Sequence, residues 1–169
     1  MAATAQVNVY HGVDASSPAA VTEVRHKRAD NSTLDLNNPV QIPSSGDNRG
    51  WPKQFKLEFT TTPNSQISNL RWYASASPSG WDGISLWAGT TPTYAQATAG
   101  DESALRPGLA DADTYTSGSP LVINSGVVLS NPTTGVGTQT FLQIQSTVNS
   151  TATPGAKTAR QSFYRYDEI

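Results

Sequence analysis

The sequence predicts an all-β fold: a single antiparallel β-sandwich domain spanning residues 1–169, jelly-roll or immunoglobulin-like, with little or no helix. Three observations point there. First, the 169 residues include 20 Thr, 19 Ser, 13 Gly and 11 Pro, residue types that are weak helix formers or break helices outright. Second, apolar residues recur at every second position in short runs, and no helical period is sustained. Third, clusters of Gly, Pro, Asn, Asp and Ser separate those runs at strand-and-turn spacing. At this length a single domain buries roughly two-thirds of the surface its unfolded chain exposes.

The strands can be justified in order. "QVNVYHGV" places Val7 and Val9 on one face. "AVTEVRHKRA" reads as an edge strand with Val21 inward and the basic run Arg25–Arg28 outward, where it guards the edge against aggregation. In "FKLEFTT", Phe55, Leu57 and Phe59 alternate with Lys56 and Glu58; in "ISNLRWYA", Leu70, Trp72 and Ala74 oppose Arg71 and Tyr73. "GISLWAG" sets Ile84, Leu86 and Ala88 against Ser85 and Trp87. "PLVINSG" and "GVVLS" read as two further strands. "TFLQIQSTV" sends Leu142, Ile144 and Ser146 one way and Gln143 and Gln145 the other. Finally, "SFYRYDEI" alternates Phe163 and Arg165 with Tyr164 and Tyr166, a last strand built into the sheet.

Between the strands lie turn clusters such as "PSSGDNRGWP", "TTPNSQ", "SASPSGWDG" and "SNPTTGVG". Gly supplies positive φ, Pro presets φ, and Asn or Asp bond their own backbone. One short helical turn is expected in "GDESALRPGLAD", capped by Asp101 and stopped before Pro107. The long segment at about 90–119 has no convincing strand. Loops of that length are uncommon in compact domains and tend to be functional or to pack on a neighbour.

Several function classes lose their support. A net charge of −2 gives no electrostatic drive toward nucleic acid. With no Cys, neither disulfides nor thiolate metal sites can form. No apolar stretch is long enough for a membrane-spanning helix, and "MAATAQVNVYHGV" lacks the basic and apolar regions of a secretory signal. His11 and His26 are the only histidines, and neither lies in a recognised catalytic motif. Asp111 and Asp113 alternate as Ca²⁺ ligands can, but without the Gly and later acid of an EF-hand loop. The expectation is a protein that is not an enzyme and needs no cofactor.

The aromatic residues offer the best contact candidates. Trp72 shares a face with Leu70 and Ala74 and reads as core. Trp87 lies opposite Ile84, Leu86 and Ala88, and Trp81 sits in a Gly/Ser/Asp turn with Asp82 beside it. Trp81, Asp82, Trp87 and Tyr73 are therefore the candidate contact residues, for a protein interface or for stacking on a sugar.

"FKLEFTTTPNSQISNLRWYASA", the Thr93-Tyr94 segment and "FLQIQSTVNSTATPGAKTARQSFYRYDEI" together resemble β-sandwich virion structural proteins of tailed bacteriophages. There an F-x-L-x-F strand runs through a turn into an aromatic strand, and a P-G hairpin leads into a terminal Y-D-E strand. The resemblance covers Phe55 to Thr98 and Phe141 to Ile169. It implies a virion protein of capsid decoration or minor capsid type, made in the host cytoplasm, that binds and stabilises the particle through its loops and termini. Its partners would be the major capsid protein or a connector, further copies of itself, and in one variant a host-surface glycan. It implies no catalytic residues. A carbohydrate-binding module and a connector or tail component are the alternatives.

Overall fold

The computed structural model describes residues 2–15 and 17–169, the side chain of residue 17 excepted. The molecule is an all-β sandwich. Ten strands are found among the described residues: β1 Ala5–His11, β2 Ser17–Val21, β3 Asp47–Arg49, β4 Lys53–Phe59, β5 Gln66–Ala74, β6 Ile84–Thr91, β7 Ala110–Asp111, β8 Leu121–Ser130, β9 Phe141–Asn149 and β10 Ser162–Glu168. Every pairing is antiparallel. The larger sheet runs β2-β1-β4-β9-β6-β7, with β3 also on β9, and the smaller sheet runs β10-β5-β8.

Alternation fixes the core. Val9, Phe55, Leu57, Phe59, Leu86, Ala88, Leu142 and Ile144 from the larger sheet meet Ile67, Leu70, Trp72, Ile123, Val128 and Leu129 from the smaller. Tyr166 closes edge-on against Phe59, with ring centroids 5.1 Å apart. The two runs "PLVINSG" and "GVVLS" form one strand, β8, whose register slips against β5. Asn69 of β5 stands at φ 54°, the left-handed conformation that Asn tolerates at such a bulge.

Strand β9 organises the whole. Residues Phe141 through Val148 are buried on both faces. One face is the sandwich core. The other, carrying Gln143 and Gln145, is roofed by the segment after β6, so the inner side of the long loop packs on its own sheet. Gln145 is fully buried: its amide donates to the carbonyls of Gly50 (3.1 Å) and Asp101 (2.8 Å), and its carbonyl accepts from Arg106 N (3.0 Å). Within this roof a 3-10 turn spans Ala99–Glu102, and Asp101 lies inside it, accepting from Thr98 N (2.8 Å). Asp101 is thus not the cap at the start of the turn, because its carboxylate reaches back and is gripped on two oxygens by Arg106 (2.7 and 2.9 Å). Strand β7, missed by the alternation because it has two residues, then pairs with β6.

The basic run is not an edge strand. Strand β2 stops at Val21, and residues 22–46 contain no regular element. Lys27 is 3% exposed and bonds Thr33 (2.9 Å) and Asp35 (2.8 Å), while its carbonyl accepts from Trp51 N (3.0 Å). A carboxylate close by in sequence makes the buried ammonium tolerable, and the chain folds around it. Gly50 allows this crossing, since a Cβ there would stand 2.4 Å from Ser146 Oγ. At the ends of the chain, Ala3 N donates to both oxygens of Glu168 (2.9 and 3.0 Å), and Ile169 exchanges backbone bonds with Gln66 (3.1 and 3.2 Å).

Candidate interaction surface

The four sequence-predicted contact residues are not gathered at one place. Trp81 is half-buried, packs on the core, and donates from Nε1 to Thr158 O (2.9 Å), so its turn is tied to the loop before β10. Asp82 beside it is exposed. Trp87 is half-buried on the roofed face of the larger sheet and donates to Thr147 Oγ1 (3.2 Å). Tyr73 lies apart from all of these, on the outer face of the smaller sheet.

That outer face has the residue types of an interface. Tyr73 and Phe163 sit directly across from each other on β5 and β10 and stack with centroids 5.0 Å apart and planes at 17°. In the next row Arg165 faces Arg71, which in turn faces Val122 on β8. Val122 and Val127 are 47% and 45% exposed, unusual values for strand valines, and Phe163 is 38% exposed. Among the described residues neither Arg71 nor Arg165 takes part in an ion pair, and Arg71 Nε is buried without an acceptor. Two guanidiniums side by side, flanked by stacked rings and bare valines, suit a partner carrying carboxylates and apolar groups. Arg71 and Tyr73 were legible in the sequence as the outward half of an alternating strand. Phe163 and Arg165 were legible in the same way on β10, but nothing local said that the two strands are neighbours.

An open groove of about 430 Å³ adjoins this face, lined by Tyr73 to Ser77, Asp113, Thr116 and Ser117. Beneath it Arg160 is nearly buried, bonding Ser75 O (2.8 Å) and pairing with Asp113. Asp113 also accepts from Ser77, and Asp111 accepts from Asp113 N (2.9 Å), so these two acids shape a turn. Among the described residues no group of three or more His, Cys, Asp or Glu side chains stands close enough to hold a metal ion. No helix there is long and apolar enough to cross a membrane.

The remaining titratable cluster lies under the 22–46 segment. Lys53 is 1% exposed and donates to the carbonyls of Ala29 (2.5 Å) and Asn31 (2.8 Å). Burial lowers its pKa to about 8, against the pull of Asp30. His26 has a buried Nδ1 without a partner, and desolvation aided by Lys53 lowers its pKa to about 4 from 6.5. An unfolded imidazole takes up its proton near 6.5, the folded one only near 4, so stability falls as pH drops through that window. Thermal melts of His26→Gln should lose this component: the wild type should weaken relative to the variant as pH goes from 6.5 to 4. A difference that stays constant with pH removes His26 as the source.

No family model matches the chain, and neither a curated protein nor a solved structure matches it.

Proposed function

We propose that this chain is a non-enzymatic assembly protein that binds a protein partner through the outer face of the β10-β5-β8 sheet. Following the resemblance of its strand-and-turn texture, the particle is the virion of a tailed bacteriophage, and the role is capsid decoration or minor capsid protein. The observation that carries the binding reading is the Arg71–Arg165 pair without a carboxylate, set beside the Tyr73–Phe163 stack and two exposed valines. Arg and aromatic residues of this kind supply most of the energy at protein interfaces.

Cosedimentation with particles that lack the protein tests it. Binding is expected, and the Arg71→Ala/Tyr73→Ala double variant should lower affinity by about tenfold or more while keeping its far-UV circular dichroism. Equal binding by the variant moves the interface elsewhere. The copy number per particle then separates decoration from a connector or tail position.

A second reading, a glycan-binding surface, is favoured by one observation: a flat aromatic stack beside a groove edged with Ser75, Ser77, Asp113, Thr116 and Ser117. Binding on a glycan array that disappears with Tyr73→Ala supports this reading, and an empty array removes it.

A further inference from the structure

Strand β10 borders the smaller sheet: β5 lies on one side and no described strand on the other. Gln161 O accepts from Ser75 N, and Ile169 exchanges both bonds with Gln66, so the odd-numbered residues of this stretch bond β5. The N–H and C=O groups of Ser162, Tyr164, Tyr166 and Glu168 therefore point away from it, along an open edge. Phe163, Arg165, Asp167 and Ile169 are exposed, whereas Tyr164, Tyr166 and Glu168 are partly buried. The bulge at this end of the sheet belongs to β5, because two β5 residues, Asn69 and Leu70, stand where β10 has only Tyr166. Strand β10 is itself regular.

We propose that β10 pairs antiparallel with β10 of a second copy of this chain, joining two small sheets into one of six strands. The sequence of the strand is self-complementary in one register. With Tyr166 opposite Tyr166 of the second copy, Arg165 faces Asp167 and Phe163 faces Ile169, each contact made twice by the twofold axis. The outward backbone groups of Tyr164, Tyr166 and Glu168 then form the hydrogen-bonded pairs. Arg165–Asp167 and Phe163–Ile169 fall at the non-hydrogen-bonded positions, where opposed Cα atoms approach to about 4.5 Å and side chains interact best. Sliding the pairing by two residues one way sets Arg165 against Arg165. Sliding it the other way sets Asp167 against Asp167 and Arg165 against Ile169, and loses both ion pairs. Register and charge select the same arrangement.

The partner also meets a need visible in one chain. Arg165 and Arg71 stand directly opposed, and Arg71 Nε has no acceptor. Asp167 of the second copy extends that row with a carboxylate. Asp167 is already oriented by Asn69 Nδ2 at 2.6 Å, and a carboxylate keeps further lone pairs for a guanidinium. A charge on an edge strand ordinarily deters pairing. Here the opposite charge two residues along turns deterrence into selection for a matching strand. This inference goes beyond the proposed function: the edge contact engages Arg165, while Arg71, Tyr73, Val122 and Val127 on β5 and β8 stay on the outer face for the proposed partner.

Sedimentation velocity on the full chain should show a concentration-dependent dimer. Arg165→Asp sets two carboxylates opposite each other twice over and should raise the dimer Kd by about tenfold or more. Asp167→Arg should do the same, and the combined charge swap should restore dimerisation. Because the chain has no cysteine, the register can be read covalently. Oxidised Phe163→Cys/Ile169→Cys should form a disulfide dimer and either single variant should not, since six residues of one strand span about 20 Å and exclude an internal bond. A chain that stays monomeric in a concentrated stock overturns the proposal. So does a dimer indifferent to Arg165→Asp that fails to crosslink through the cysteine pair. Loss of particle binding with the dimer intact would instead count against the proposed function alone.

Discussion

Replacing Gln145 by Leu should destabilise the protein by about 3 kcal/mol or more, although the two side chains are close in volume. The amide holds the carbonyls of Gly50 and Asp101 and accepts from Arg106 N, all in buried surroundings. Leu fills the space and satisfies none of them, and each buried polar group left unpaired costs about 1–3 kcal/mol. The loss should concentrate in the roof over β9: the Arg106 amide should exchange with solvent far faster, and proteolytic cleavage between residues 92 and 109 should precede global unfolding. Urea unfolding combined with hydrogen exchange measures both. A variant whose midpoint and exchange pattern match the wild type would show that the roof is held by other contacts.

Trp72→Ala should cost about 3–5 kcal/mol, the range for emptying a buried aromatic site. Trp72 is 1% exposed and meets the Tyr115 ring at 6.3 Å in an edge-on contact. Trp72→Phe should cost much less than the alanine variant. Trp72 Nε1 is buried without an acceptor, so the smaller ring removes an unpaired donor along with the volume. Chemical denaturation of the two variants checks the ranking, and a phenylalanine variant as unstable as the alanine one would mean that the indole donor has a partner after all.

The sandwich was legible because a half-buried strand writes its alternation into the sequence. Phe55, Leu57 and Phe59, and Leu70, Trp72 and Ala74, are buried just as their spacing implies. What escaped was whatever side chains do at long range. Alternation separates Gln143 and Gln145 from the apolar face of β9 but does not say what covers them, and they are 4% and 0% exposed. The available signal was the kind of polarity: that face holds Gln and Thr but no charge, and amides can take the place of a missing strand where an ammonium or carboxylate cannot. Strands β3 and β7 are too short to show a period. In the basic run, Lys27 turns inward because Asp35 waits eight positions on, a pairing that strand spacing cannot express. Of the interaction surface, each strand's outward residues were readable, but that β10 lies beside β5 follows only from the fold.

The roof over β9 has a consequence for how this molecule can change. Chain connections are ordinarily where families vary and where insertions are tolerated. Here one of the two long connections between major strands is pegged by Gln145 and Arg106 into the middle of the larger sheet, while the exposed turn at residues 153–158 carries few such ties. Grafted peptides should therefore be accommodated in the turn before β10, whereas insertions into the long segment should strip the cover from the middle of the larger sheet.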